Sequence, residues 1–192
     1  WIYALSVNWS NPSAATFNRV QQLNVTAFDS NFGPTWDNIA QPGVAQELDA
    51  VPEVLMFRAQ YRNFGTHQAI VCTHSVDVNN TDRAGVRWYE LRKTGANWFI
   101  HQQSTYSPTS DSRWMGSIAM NGEGDIALGY SVSSSSVYPS IRYTGRKASD
   151  PVNTMTMTER SIFEGANSQT GFNRWGDYSM MSVDPSDDTR FW

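Results

Sequence analysis

The stretch from Arg113 to Arg146 constrains the fold more than any other part of the chain. An apolar and small run (Ser117 to Met120) leads into a turn containing Asn121, Gly122 and Gly124. A second run follows (Ile126 to Val132), then a loop of four serines and a third run ending at Tyr143. Short β-prone runs separated by Gly, Asn and Ser predict antiparallel strands joined by hairpins. Thr154 to Phe163 predicts a fourth strand, which completes a four-stranded unit. The same order recurs upstream, with strands expected over Leu55–Tyr61, His67–Val76, Val86–Arg92 and Trp98–Thr105. Gly65 aligns with Gly124, Ser75-Val76 with Ser131-Val132 and Trp88 with Ile141, at offsets of roughly 53 to 59 residues. A four-stranded unit repeated at about that spacing is the pattern of a propeller blade.

The flanks extend the repeat. Trp1 to Trp9 and Ala14 to Val25 read as a third and a fourth strand. Near the other end, Arg174-Trp175-Gly176 repeats the Arg-Trp, Gly and Ser of 113–121, turns at Pro185-Ser186-Asp187-Asp188 and enters a second strand at Thr189. The expected fold is therefore all-β, a β-propeller segment of four-stranded antiparallel blades spanning 1–192. It divides into a half blade at 1–26, a blade at 47–106, a blade at 113–165 and a half blade at 174–192. About three blades' worth falls short of the four to eight that close a ring, so the remainder is expected from the same or a neighbouring chain. Strand-like residues at both ends give the same expectation. The connection from Ala27 to Ala50 carries Pro34, Pro42 and Gly43 and reads as a surface crossover, or else as an ordered loop over one face.

Composition narrows the function. A net charge of -4 without a Lys/Arg cluster disfavours nucleic acid, whose affinity is built from basic contacts. No apolar stretch reaches the length of a membrane span. Eight Trp, eight Tyr and nine Phe among many Ser, Thr and Asn suit a secreted or cell-surface β protein. The single cysteine, Cys72, excludes an internal disulfide and sits in an apolar run, where a buried structural thiol is expected.

The phrases Arg83 to Arg92, Arg113 to Met120, Gly129 to Arg146 and Arg174 to Ser179 resemble a group of large secreted bacterial β-propeller-like proteins that often carry adhesion or sorting modules. The resemblance implies a propeller and an extracellular setting, with blades before Trp1 and after Trp192, and it transfers no catalytic residue. Ser182 to Trp192 loosely resembles the Asp-box hairpin of sialidases and related propellers, with Ser186 where that pattern has Gly. Asp in such a turn caps backbone amides.

Loops that enter the innermost strands, together with loops joining second to third strands, share one face of a propeller. On that register the face gathers Arg113, Trp114, Arg174, Trp175, Asp177 and Tyr178, with His74, Tyr138 and the serines 133–136 from the other loops. Guanidinium groups beside aromatic rings suit a carboxylate or a sugar. Because the Arg-Trp pair recurs in two blades, packing between blades is the alternative role, and the favoured one. A sialidase-like glycoside hydrolase is a competing expectation, needing a Tyr nucleophile with a Glu partner and an arginine cluster. Glu123 and Glu90 fall away from the ligand face, which favours binding over catalysis. A third expectation is a structural subunit of an extracellular assembly. The three histidines lack metal-ligand spacing, and no cofactor is indicated. The acidic stretches 77–82 and 184–188 offer oxygen ligands of the kind Ca²⁺ takes, but read first as solvated turns.

Overall fold

The computed structural model describes residues 1–177 and 179–192. Twelve strands and one short 3-10 turn make up its regular structure. The first four-stranded antiparallel sheet contains β5 (Gln60–Asn63), β6 (Gln68–Asp77), β7 (Ala84–Thr94) and β8 (Asn97–Tyr106), side by side in chain order. The second contains β9 (Ser112–Met120), β10 (Ile126–Ser133), β11 (Ser140–Arg146) and β12 (Arg160–Phe163), again in chain order. Gly65 and Gly124, aligned by the repeat, both turn their hairpins with positive φ (78° and 84°), a conformation open to Gly without steric cost. Two-stranded pairs complete the fold: β1 (Ile2–Ser6) with β2 (Thr16–Gln21), and β3 (Asp37–Ile39) with β4 (Leu48–Asp49). The fold is all-β and antiparallel. Among the described residues the sheets do not close into a propeller ring.

The two large sheets pack through one apolar layer. Ala69, Val71, Val86 and Trp88 of the first meet Ile118, Met120, Ile126, Leu128 and Tyr130 of the second. Each set alternates along its strand, as one buried face of a pleated sheet requires. Contact is close where β9 passes the first sheet: a Cβ placed on Gly116 would lie 2.7 Å from Val86 Cγ1 and 2.9 Å from Thr73 Oγ1. Cys72 is buried beside this layer, and desolvation pushes its pKa up to about 12, so it remains an unreactive thiol.

Several boundaries differ from the sequence reading; the first strand of the first sheet runs over Gln60–Asn63 and not Leu55–Tyr61. Strand β9 begins at Ser112, which puts Arg113 and Trp114 inside a strand instead of in an entering loop. Strand β12 is confined to Arg160–Phe163, because the chain before it hydrogen-bonds differently: the Thr144 hydroxyl donates to the Met157 carbonyl (2.7 Å). The connection 27–51 is not a plain crossover. Phe32, Ile39, Leu48 and Ala50 are fully buried in a second apolar cluster with Ala84, Trp114 and Met115.

Gly116→Ala tests the sheet contact. Overpacking of this kind costs about 1–3 kcal/mol, and a urea titration should show a lower midpoint with an unchanged slope.

Candidate functional site

A β-bulge decides where the first Arg-Trp pair points. Gly129 pairs with Ser117 but Ser131 pairs with Trp114, so Met115 and Gly116 together oppose Tyr130 alone. Met115 takes a positive φ of 50° at this point. One extra residue reverses the alternation of everything before it. Arg113 therefore shares a face with Tyr130, while Trp114 turns to the opposite face and enters the second apolar cluster. Both side chains are 0 % exposed.

Arg113 ends in a polar hub centred on Glu159. Its Nε and Nη2 donate to the two Glu159 oxygens (2.7 and 3.1 Å), the bidentate geometry that suits a carboxylate. Arg142 Nη1 donates to the same carboxylate (2.9 Å), and the Tyr130 hydroxyl donates to it as well (2.7 Å). Arg142 also clasps Glu164 through Nε and Nη2 (2.8 and 3.0 Å). The Tyr106 ring lies near both the Arg113 guanidinium and the Tyr130 ring. Burial works to raise the Glu159 pKa, but hydrogen bonds from Arg113, Tyr130 and Arg142 outweigh it and hold the carboxyl below its usual range. The Arg142 hydrogen bond brings Glu164 down to about 2. Burial, with Glu159 beside it, raises the Tyr130 phenol. Sequence reasoning missed Glu159, because it stands outside any strand and its partners come from β9, β10 and β11.

The second pair is placed differently. Arg174 is half exposed and forms ion pairs with Asp177 (2.8 Å) and Asp49 (3.5 Å). Trp175 is half-buried and packs on the cluster that contains Trp114. Tyr178 lies outside the described residues. His74 is buried between the rings of Phe28 and Tyr89. Its Nδ1 lies 3.0 Å from the Ser75 carbonyl and its Nε2 3.0 Å from the Tyr89 hydroxyl, an arrangement that suits a neutral ring donating from Nδ1. Burial lowers its pKa.

Tyr138 remains open, together with Ser135 and Ser136. Segment 27–51 lies across this end of the sheets. The Ser133 hydroxyl donates to the Ala40 carbonyl (2.9 Å), and the Gln41 amide bonds Gln169 in both directions (3.0 and 2.7 Å). Asn173 Nδ2 donates to Asp37 (2.7 Å), and the Gly165 amide donates to Ser140 Oγ (2.9 Å). These bonds gather loops 36–46, 133–139 and 165–174 into one polar surface. Trp36, Tyr138 and Phe172 are exposed on these loops, Phe172 two residues before Arg174.

The acidic stretches form turns. Asp184 Oδ1 accepts from the Ser186 amide and hydroxyl (2.8 and 2.6 Å), and Asp187 Oδ1 from the Thr189 amide (2.9 Å). Asp77 Oδ1 accepts from the Thr81 amide (3.1 Å). Among the described residues no three His, Cys, Asp or Glu side chains converge as a metal-binding group, and no helix is long and apolar enough to cross a membrane.

Glu159→Gln leaves the buried Arg113 without its countercharge. Breaking such a pair costs about 3 kcal/mol, which should lower the melting temperature by roughly 10 °C in a chain of this size. Two windows of pH dependence should also be visible in urea midpoints. His74 is harder to protonate folded than unfolded, so stability should fall as pH drops below 6.5 and level off once the folded pKa is passed. Glu159 is harder to protonate than its usual 4.5, so a further loss should follow below that pH. In ¹H–¹⁵N spectra the His74 midpoint should lie below 6.5.

In comparisons with known proteins, the chain matches no family model, no curated protein and no solved structure.

Proposed function

We propose that this chain is part of an extracellular β-propeller, acting as a binding and scaffold module that recognises carbohydrate or another surface polymer without catalysing its breakdown. The propeller reading is supported by the two successive four-stranded meanders packed face to face, the relation expected of neighbouring blades. The extracellular reading rests on the resemblance to secreted bacterial propeller-like proteins and on the aromatic, hydroxyl-rich composition. One observation carries the binding role. Trp36, Tyr138 and Phe172 stand exposed on loops that are tied together by part-buried hydrogen bonds. Aromatic faces held on a rigid support stack on sugar rings with little ordering cost.

Glycoside hydrolysis draws on a different observation. Tyr130, Glu159, Arg113 and Arg142 bring together the residue types of a sialidase centre. Tyr130 is 2 % exposed and Arg113 fully buried, so no sugar reaches the phenol. Burial and the adjacent carboxylate also make the phenolate harder to form. The hub suits a structural clasp within the second sheet.

A glycan array followed by calorimetry on the best ligand tests the binding role. Tyr138→Ala and Phe172→Ala should each weaken binding about tenfold, equivalent to about 1.4 kcal/mol. Affinity unchanged in the double variant, or hydrolysis of the bound glycan, would overturn the reading.

A further inference from the structure

A second buried carboxylate marks the hairpin end of the layer between the sheets, and its surroundings are not balanced as those of Glu159 are. Glu90 is fully buried on β7, where it continues the inward-facing row of Val86 and Trp88. Arg92 Nε donates to Glu90 Oε1, and Gln102 Nε2 donates to Glu90 Oε2. Asn153, from the connection after β11, ties the two sheets together here: its amide donates to Gln102 Oε1 (3.1 Å), and its Oδ1 accepts from the Gln103 amide (2.8 Å). Arg146 ends β11 and is buried beside this connection, donating from Nε to the Thr154 carbonyl (3.2 Å) and from Nη2 to the Asp150 carbonyl (2.6 Å).

Two histidines complete the group. A bulge in β8 pairs Glu90 with Gln102 and Leu91 with Ile100, which leaves His101 without a partner across the ladder. His67 stands just before β6 with its ring stacked on Phe64 at 4.9 Å. Burial is the first cause that holds each imidazole below its usual pKa; Arg92 pushes both the same way, Arg146 and His67 add to this at His101, and Glu90 opposes it at each. Asp125 and Asp150 act on Arg146, but Asp125 accepts from the Ala148 amide (2.8 Å) and Asp150 from the Lys147 amide (2.7 Å). Arg62, opposite Ala69 as Arg92 is, pairs with Asp188.

Donor capacity is left over. Among the described residues nothing accepts from Nη1 or Nη2 of Arg92, from Nη1 of Arg146 or from either ring nitrogen of His101. Around Glu159, two guanidiniums meet two carboxylates. Here two guanidiniums and two imidazoles share one carboxylate, both of whose oxygens are occupied.

We propose that this cluster is a binding site for a tetrahedral oxyanion, a phosphate or sulfate group, taken by the Arg92 fork with His101, His67 and Arg146 around it. The planar guanidinium fork suits such a group because it donates two parallel bonds. Protonated His101 and His67 add charge and donors, so binding strengthens as pH falls. The cluster lies at the opposite end of β10 from the loop that carries Tyr138, so it is independent of the glycan reading.

Titration of the isotope-labelled protein with sodium sulfate tests it, at ionic strength held constant with chloride and read at the imidazole signals. Sulfate keeps one charge state between about pH 5 and 8, the range in which histidine titrates. It should shift His101 and His67 saturably, leave His74 unmoved and raise the His101 pKa by about one unit, equivalent to about tenfold tighter binding by the protonated form. His101→Gln removes no hydrogen bond, and Arg92→Gln can still donate to Glu90. Each should weaken sulfate binding about tenfold with unchanged circular dichroism. Glucose 6-sulfate run in parallel separates the sources: tighter binding than sulfate identifies a group carried on a sugar, weaker binding the free ion. No saturable shift at His101, equal shifts at all three histidines, or wild-type affinity in His101→Gln would overturn the proposal.

Discussion

The apolar layer between the two four-stranded sheets is the contact on which the rest of the structure depends. Fully burying a side chain the size of Leu or Ile contributes roughly 1.5–3 kcal/mol, and Val71, Val86, Trp88, Ile118, Met120, Ile126 and Leu128 are all buried there. This layer fixes the strand register, because a slip of one residue would turn each of these side chains to the opposite face. The register in turn fixes the bulge opposite Tyr130. Smooth alternation of β9 from Ile118 to Ser112 would carry Trp114 into the inter-sheet layer and Arg113 away from it. The extra residue at Met115–Gly116 reverses both placements.

That reversal marks the limit of what the sequence discloses. The strand order, the hairpin glycines and the long second and third strands of each sheet are legible, because alternation and turn residues are local properties of the chain. The bulge is not, since it is defined by a hydrogen-bond partner on another strand. The sequence therefore places Arg113 and Trp114 in an entering loop, as ligand contacts or, the favoured role, as packing between blades, whereas the strand runs through them and both are buried. The same reason hides Glu159, whose role depends on Arg113, Tyr130 and Arg142 arriving from three strands. Segment 27–51 was read as a connection because its apolar residues show no regular period. They bury Phe32, Ile39, Leu48 and Ala50 without forming long strands, so periodicity carries no trace of them. Tyr138 was legible as a loop residue, because its neighbours Ser136 and Pro139 favour a turn.

The Glu159 hub shows why charges sit at a packed interface. Removing a guanidinium and a carboxylate from water costs several kcal/mol per ion, and a single ion pair often fails to recover that. Here one carboxylate receives two bonds from Arg113, one from Arg142 and one from a phenol. Arg113 spends a remaining donor on the Asp111 carbonyl (2.9 Å). Full hydrogen bonding makes such a hub tolerable, and its directional bonds add what apolar contact lacks. Apolar contact is non-directional, whereas a bidentate guanidinium holds one geometry. The hub pins β9, β10 and β11 to the segment before β12 and so locks the sheet's edge in place.

The same reasoning applied to the β1–β2 hairpin gives the opposite result. A lone two-stranded hairpin is marginal in water. This one is tethered by the Gln21 amide, which bonds both backbone groups of Trp98 (2.6 and 2.7 Å), and by the Thr26 amide on Gln103 (3.0 Å). Each such bond nets about 1 kcal/mol, enough to hold a strand pair in place but not to remove its apolar face from water. Tyr3 stacks on Phe17 and Arg19 covers Trp1, which shields part of that face. Leu5 and Trp9 have no such cover. The tethers therefore set where the strand pair stands, and the apolar residues on its outer face stay in contact with water.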